Sequence, residues 1–432
     1  MPTTAAEPRR RHRRVVGSAS TTFLAFAAPV SMFGVLWPDA RADFDQSLGA
    51  LGVVSLVYGL ARMATSGAGR RTTARFGIGP CFVVALAALA VADLALAAAP
   101  NWPVFLVGVG AIGVVSGLLD SVGAGVVATL GDIGDAGLIH GAYGVGATIG
   151  PLVVAVLPGW RWSLVVAAAA AVVALAVARR VGDRWPTPPG TDDGDRAVAS
   201  SAEPDADSAD ATDVADEREA ERAVVLAPET SSAGRRIVPE GERGAGRPPT
   251  VPTAVSLAVF FAFVACEVTL GNWLFAYLTE ARSIGDGVAA VGVSGFWAGT
   301  TVGRLSLVSG RVRSLLDRAG TVATALVALC LLLVVPVAPG ASVVVVTTLV
   351  GLALGPLVPT LSARTSDRVG ARHAQQVSGW QLLAANVGAI SVPFLTGRAV
   401  DSIGPGVVVP ITLGVFAVGI PSLVAAARLS PA

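Results

Sequence analysis

Twelve apolar runs, each about 20 residues long, constrain this chain more tightly than any other feature. A helix rising about 1.5 Å per residue needs roughly that length to cross a hydrocarbon core of about 30 Å. Six runs precede residue 182, at about 16–37, 49–69, 77–98, 103–129, 138–158 and 162–181. Six follow residue 250, at about 253–278, 288–309, 319–338, 341–363, 375–396 and 405–427. Of the 432 residues, 53% are hydrophobic and 14% charged, with a mean hydropathy of +0.67. Soluble domains carry about 25% charged residues, so a water-soluble globule is excluded. Backbone polar groups in lipid must be satisfied within their own segment, which makes each run a helix. The expected fold class is an all-α membrane protein of 12 transmembrane helices in two six-helix bundles.

The net charge of +1 hides a partition. Residues 182–250 hold 16 acidic and 8 basic side chains, and the other 363 residues hold 14 and 23. The 182–250 segment is Pro-rich at its ends, rich in Asp, Glu and Ser, and has Trp185 as its one aromatic. It buries too little apolar area to offset its ordering entropy and reads as a disordered acidic cytoplasmic linker. The chain then divides into a basic cytoplasmic tail (1–15), an N-terminal bundle (16–181), the linker, a C-terminal bundle (251–428) and a short cytoplasmic tail (429–432). With the N-terminus inside, 17 arginines outside the linker fall on the cytoplasmic side and four (Arg41, Arg161, Arg282 and Arg398) on the other. That bias predicts a multi-pass protein of the cell membrane with both termini cytoplasmic. Trp37, Trp102, Trp160 and Trp162 fall at the outer boundaries, where an aromatic belt is expected. Cys81, Cys266 and Cys330 lie inside apolar runs and form neither a disulfide framework nor a metal set. The first run follows five arginines and lacks a distinct small-residue cleavage site, so it reads as a span rather than a cleaved signal.

The halves resemble each other. Arg62 and Arg304 are 242 residues apart, and Val145-Gly146-Ala147 with Pro151 recurs at the same offset as Val387-Gly388-Ala389 with Pro393. Parallel six-span repeats around a central cavity are the plan of secondary transporters.

Several blocks carry a closer likeness. They are Gly117-Leu118-Leu119-Asp120 in the fourth span, and His140-Gly141-Ala142-Tyr143 through Gly150-Pro151 in the fifth. The second half adds Glu267, Gly271-Asn272-Trp273, Ser294-Gly295-Phe296-Trp297-Ala298-Gly299, Gly303-Arg304 and Ala384-Ala385-Asn386-Val387-Gly388-Ala389. On these residues the chain resembles the major facilitator superfamily across both halves, and most resembles its fucose–proton symporter-like branch. The resemblance implies a proton-exchanging carboxylate at Asp120 and a polar cavity residue at His140. It departs from the family at Ala74, where the loop signature between spans two and three has an Asp, and at Gly34, where the symporters have an acid. Gly146-x-x-x-Gly150-Pro151 resembles part of the antiporter signature of drug-efflux members. Its closing Gly-Gly is replaced by Val153-Val154, and close helix packing is the preferred reading.

Ionisable groups inside a span are costly, and each is a functional candidate. Asp120 and Glu267 are read as the proton-coupling carboxylates, Glu267 lying about 21 Å of rise into span seven. His140, Tyr143, Asn272, Trp273, Gln381 and Asn386 are the substrate-binding candidates. Asn272 offers hydrogen bonds to hydroxyls and Trp273 a flat face for a sugar ring. Arg62 and Arg304, a few residues from the cytoplasmic ends, are read as snorkelling or bracing an inner gate. Asp317 and Arg318 belong to the loop between spans eight and nine and are grouped with them. Asp93, near the outer end of span three, is read as solvated. Trp297 and Trp380 are read as packing.

These features predict a secondary active transporter moving a small solute, such as a sugar, by alternating access with proton symport. The alternative is a proton-driven antiporter exporting a hydrophobic or cationic compound. His12, His140 and His373 cannot converge on a cysteine by span depth, and there is no phosphate-binding loop of the ATPase type. No enzyme, cofactor, metal or nucleic-acid role is expected. The partners are the solute, protons and the bilayer, and the acting unit is a monomer.

Overall fold

The computed structural model describes residues 6–130, 133–182, 185–186 and 247–429. The predicted linker lies almost wholly outside the described residues. Twelve long helices follow in order: α1 (Ala6–Asp43), α2 (Leu51–Ser66), α3 (Ile78–Ala97), α4 (Trp102–Leu130), α5 (Ile133–Val156) and α6 (Trp160–Val181), then α7 (Thr250–Ala276), α8 (Asp286–Ser306), α9 (Arg318–Val334), α10 (Ser342–Leu354), α11 (Ala371–Ile403) and α12 (Val408–Leu429). Among the described residues, ten spans are long and apolar enough to cross a membrane. The other two predicted spans are α8, diluted by Gly, Ser, Thr and Arg304, and the 17-residue α9. No strand occurs among the described residues.

Element edges differ from the apolar runs where polar residues continue a helix. α1 begins at Ala6, ten residues before the apolar run, so His12 reaches across to α5 and its Nε2 lies 2.7 Å from Asp135. α10 stops at Leu354 and a separate turn, Leu357–Ala363, follows Pro356, which lacks the N–H that would continue the ladder.

Within each bundle, glycines let helices approach backbone to backbone. Added Cβ atoms on Gly146 and Gly150 would meet the Leu24 and Ala28 carbonyls of α1, and one on Gly388 would meet the Phe261 carbonyl of α7. The Gly146–Gly150 fragment is thus packing, as its truncated form suggested. Gly113 stands against the Tyr58 carbonyl of α2 and Gly355 against the Thr300 carbonyl of α8. Both the glycines and their partners repeat the 242-residue offset.

The outer tryptophans form a braced cluster rather than a belt. Trp37 is fully buried and donates to the Leu48 carbonyl (2.8 Å), and Trp160 donates to Asp43 Oδ2 (2.9 Å). Trp102 stacks on Phe105, and Trp162 alone of the four stays exposed. A ring at a loop–helix junction has packing partners on both sides, which lipid cannot match.

The bundles meet along α1–α7, α2–α11 and α5–α8. At the face opposite the chain termini they are bridged by Arg41 to Glu280 (2.9 Å), and Asp401 accepts from Ser47 Oγ (2.9 Å) and the Gly49 N–H (2.8 Å). Gly49 and Gly397 pack too closely there to admit a Cβ. These contacts tie the two bundles together at that end.

Candidate functional site

A cavity of about 330 Å³ lies between the bundles, walled by α1, α2, α4, α5, α7, α8, α11 and Val358. Two ion pairs dominate it. Arg62 of α2 turns Nε (2.7 Å) and Nη2 (2.5 Å) onto Oδ2 of Asp120 in α4. Arg304 of α8 gives one Nη2 bond (2.5 Å) to Oε1 of Glu267 in α7. Neither arginine snorkels to the interface. Arg62 stands four residues from the end of α2 and Arg304 two from the end of α8, yet each guanidinium turns inward onto a carboxylate. Each carboxylate is therefore held by its own cation, and neither presents free negative charge.

Other expected residues divide by the direction they face. His140, Tyr143, Asn272 and Asn386 line the cavity. Tyr143 packs edge-on to Phe26 and His140 edge-on to Phe23, and the Asn272 Nδ2 donates across the bundle interface to Ser55 Oγ (3.0 Å). Trp273 does not reach the cavity. It is fully buried between α7 and α11, its Nε1 donating to the Pro393 carbonyl (3.1 Å). One helix face holds Glu267 and the next residues toward it, and Trp273 sits off that face. Gln381 is also turned away, its Oε1 accepting from Thr365 Oγ1 (3.1 Å). It belongs to a buried network in which Arg368 bonds Ser256 Oγ, Thr365 Oγ1 and the Leu361 carbonyl. Desolvation pushes the Arg368 guanidinium down to about 10, still cationic at neutral pH. Asp317 caps α9, accepting from the Gly320 N–H at 2.7 Å, and Arg318 opens that helix far from the cavity. Asp93 is not solvated: it is fully buried and neither carboxylate oxygen has a hydrogen-bond partner.

Two cavity residues, Ser55 and Tyr58, escaped the sequence reading. With Arg62 they are spaced i, i+3, i+7 on α2, a polar stripe visible in hindsight within an apolar run. Trp297, taken as packing, lines the cavity, and its Nε1 is buried without a hydrogen-bond partner.

The two glycine-packed six-helix bundles thus enclose a central cavity walled by ionisable groups. The sequence matches the Major Facilitator Superfamily over residues 19–393. The chain belongs to the major facilitator superfamily. Two solved structures of this fold superpose on nearly all of it. A bacterial homolog of the human lysosomal transporter Spinster, inward-facing and unoccupied, aligns with a TM-score of 0.63 at 13% identity, over 97% of this chain and 94% of that one. The inward-facing, occupied form gives 0.62 at 13% identity over 96% and 93%. At that identity the likeness speaks for the fold. No curated protein matches the sequence. As a superfamily member the protein is a multi-pass membrane protein of the transporter fold, suited to carrying a small solute by alternating access.

Proposed function

We propose that the protein is a proton-coupled symporter of the cell membrane, moving a small polar solute of sugar size. The observation that carries this reading is the pair of carboxylate–arginine bridges in one cavity. A carboxylate that can release its arginine when protonated couples proton binding to a change in cavity charge. Asp120 and Glu267 are the proton-exchanging groups, and Arg62 and Arg304 hold them between proton loads. His140, Tyr143, Asn272 and Asn386, joined by Trp297, provide the solute contacts. The motif likeness to fucose–proton symporter-like proteins supports a sugar-sized cargo, as does a cavity of about 330 Å³. Contacts between the bundles at the face opposite the termini, together with cytoplasmic termini, support an inward-facing reading of this state. The acting unit is the monomer.

Export of a cationic compound is less well supported. A cation needs unneutralised negative charge, and both cavity acids already face a guanidinium. The test is purified protein in liposomes holding a pH-sensitive dye, challenged with sugars and cationic drugs. Proton entry on adding a sugar supports symport. Proton exit driven by a drug from acid-loaded vesicles would reverse the assignment.

A further inference from the structure

We infer that the cargo bears a negative charge, a carboxylate or similar oxygen-rich anionic group, and that it docks on Arg304 by taking the place of Glu267. The inference rests on the transport reading above and specifies its substrate.

The two ion pairs are not equally closed. Arg62 commits both Nε and Nη2 to Asp120. Arg304 commits one Nη2, and its Nε is buried without a partner. Two further nitrogens on the same wall, Trp297 Nε1 and His140 Nε2, are buried and equally unpartnered. They converge. Trp297 and Arg304 are seven residues apart on α8, two turns along one face. Gly141, next to His140, sits against Leu305, next to Arg304, so His140 and Arg304 lie level across the α5–α8 contact. His140 is within Coulombic reach of both Arg304 and Asp120. A tryptophan N–H and a guanidinium N–H can only donate, and a buried donor without an acceptor is destabilising. On the α5–α8 wall the indole and guanidinium donors are unpartnered, and His140 Nε2 can donate or accept. A cation would meet guanidinium and indole N–H groups. An uncharged sugar would leave Glu267 on Arg304 and that half of the fork unused. A carboxylate satisfies the fork bidentately, the geometry arginine favours.

Displacing Glu267 has a consequence. Its side chain is 10% exposed, and a buried carboxylate stripped of its counter-charge favours the neutral, protonated form. One anion and one proton then enter together, and the site's net charge is unchanged. The groups facing this exchange are Arg304 on α8, His140 and Tyr143 on α5, Asp120 on α4, and Arg62 and Tyr58 on α2. α1, α11 and the turn at Val358 present uncharged side chains to the cavity.

The experiment uses three solutes of one ring size and differing charge: glucose, glucuronate and glucosamine. Affinities come from the concentration dependence of thermal unfolding of the full-length protein, and proton flux from dye-loaded liposomes. Glucuronate should bind about tenfold or more tightly than glucose, since hydrogen bonds to charged groups are about twice as strong as neutral ones. Its binding should tighten as pH falls, because one proton is taken up with each anion. Arg304→Gln should erase the preference for glucuronate. Glu267→Gln, which leaves Arg304 in place, should keep glucuronate binding and flatten its pH dependence; this variant decides if Arg304→Gln does not fold. Equal or tighter binding of glucose or glucosamine, no binding of any of the three, or a steep pH dependence in Glu267→Gln overturns the inference. Glucuronate binding without proton flux would instead defeat the symport reading and leave the anion site standing. Proton flux with glucose alone would do the reverse.

Discussion

The two bundles share a backbone plan and differ in where they put charge. Gly113 on Tyr58 and Gly355 on Thr300 repeat at the offset that relates Arg62 to Arg304 and Gly146 to Gly388. The acids do not follow. At the 242-residue offset Asp120 corresponds to Ser362. In the first helices, Leu24 and Phe261 receive equivalent glycines at an offset of 237, which sets Val30, a cavity residue, opposite Glu267. Each bundle thus keeps the arginine and recruits its carboxylate from a different helix, α4 in one half and α7 in the other. Packing contacts are inherited by the repeat because a glycine against a backbone carbonyl tolerates no added atom. A charge needs only a partner within reach of a long side chain, so it is free to move.

The sharpest way to break this comparison is at the acids. Asp120→Asn should reduce pH-driven accumulation in liposomes to the level of protein-free vesicles, with solute counterflow partly retained. Full pH-dependent accumulation by this variant would remove Asp120 from the coupling and leave Glu267 as its seat.

The packing half of the comparison predicts equal effects. Gly113→Leu and Gly355→Leu each force a side chain into a facing backbone carbonyl, at a cost of about 1–3 kcal/mol for overpacking. Both should lower the unfolding temperature by similar amounts in detergent. A large drop in one alone would mean that only one half is held by this contact.

Two tryptophans in the same bundle separate structure from site. Trp273→Phe leaves the Pro393 carbonyl without its donor in a fully buried position, costing about 1–2 kcal/mol. Trp297→Phe removes a donor that has no partner, so unfolding should barely change while solute affinity falls. The opposite pattern, stability lost at Trp297 and affinity at Trp273, would restore the sequence reading of Trp273 as the ring-stacking residue.

That reading shows where the sequence ran out. Span number, the repeat and the ionisable residues in lipid were legible because hydropathy and burial cost act on single residues. His140, Tyr143, Asn272 and Asn386 stood out as polar groups in apolar runs, and all four line the cavity. Trp273 and Gln381 were misplaced because the rotation of a helix about its axis is set by its neighbours. An apolar run with near-uniform hydrophobicity gives no amphipathic stripe from which to read that rotation. Asp93 failed similarly. Its depth was clear, but burial by α6 and its neighbours was not. The arginine partners were hidden because they lie 58 and 37 residues away in sequence, and only the packed bundle brings them together.

The smallest expected effect lies at the outer ends of α3 and α9, where the same principle recurs. Arg161, from the start of α6, donates to the Ala97 and Ala99 carbonyls at 2.7 and 3.0 Å. Arg282, from the α7–α8 connection, donates to the Val335 and Ala338 carbonyls at 2.8 and 3.3 Å. Both satisfy the unpaired last carbonyls of a helix and oppose its dipole, yet they come from non-equivalent elements, as the acids do. Arg161 has more to lose: its guanidinium lies 4.4 Å from the Trp160 ring centroid and 5.8 Å from that of Phe44. Its side chain is 40% exposed, and its bond to Asp43 is long at 3.4 Å, so solvent screens the charge term. What remains are the carbonyl bonds and the ring contacts, together about 1 kcal/mol. Arg282→Gln forfeits the carbonyl bonds alone, about 0.5 kcal/mol. Arg161→Gln should therefore lower the unfolding temperature by about twice as much as Arg282→Gln. Arg161→Lys, which keeps the charge and loses the planar fork, should recover little of it. Full recovery by lysine would make the dipole, not the fork, the reason these arginines stand there.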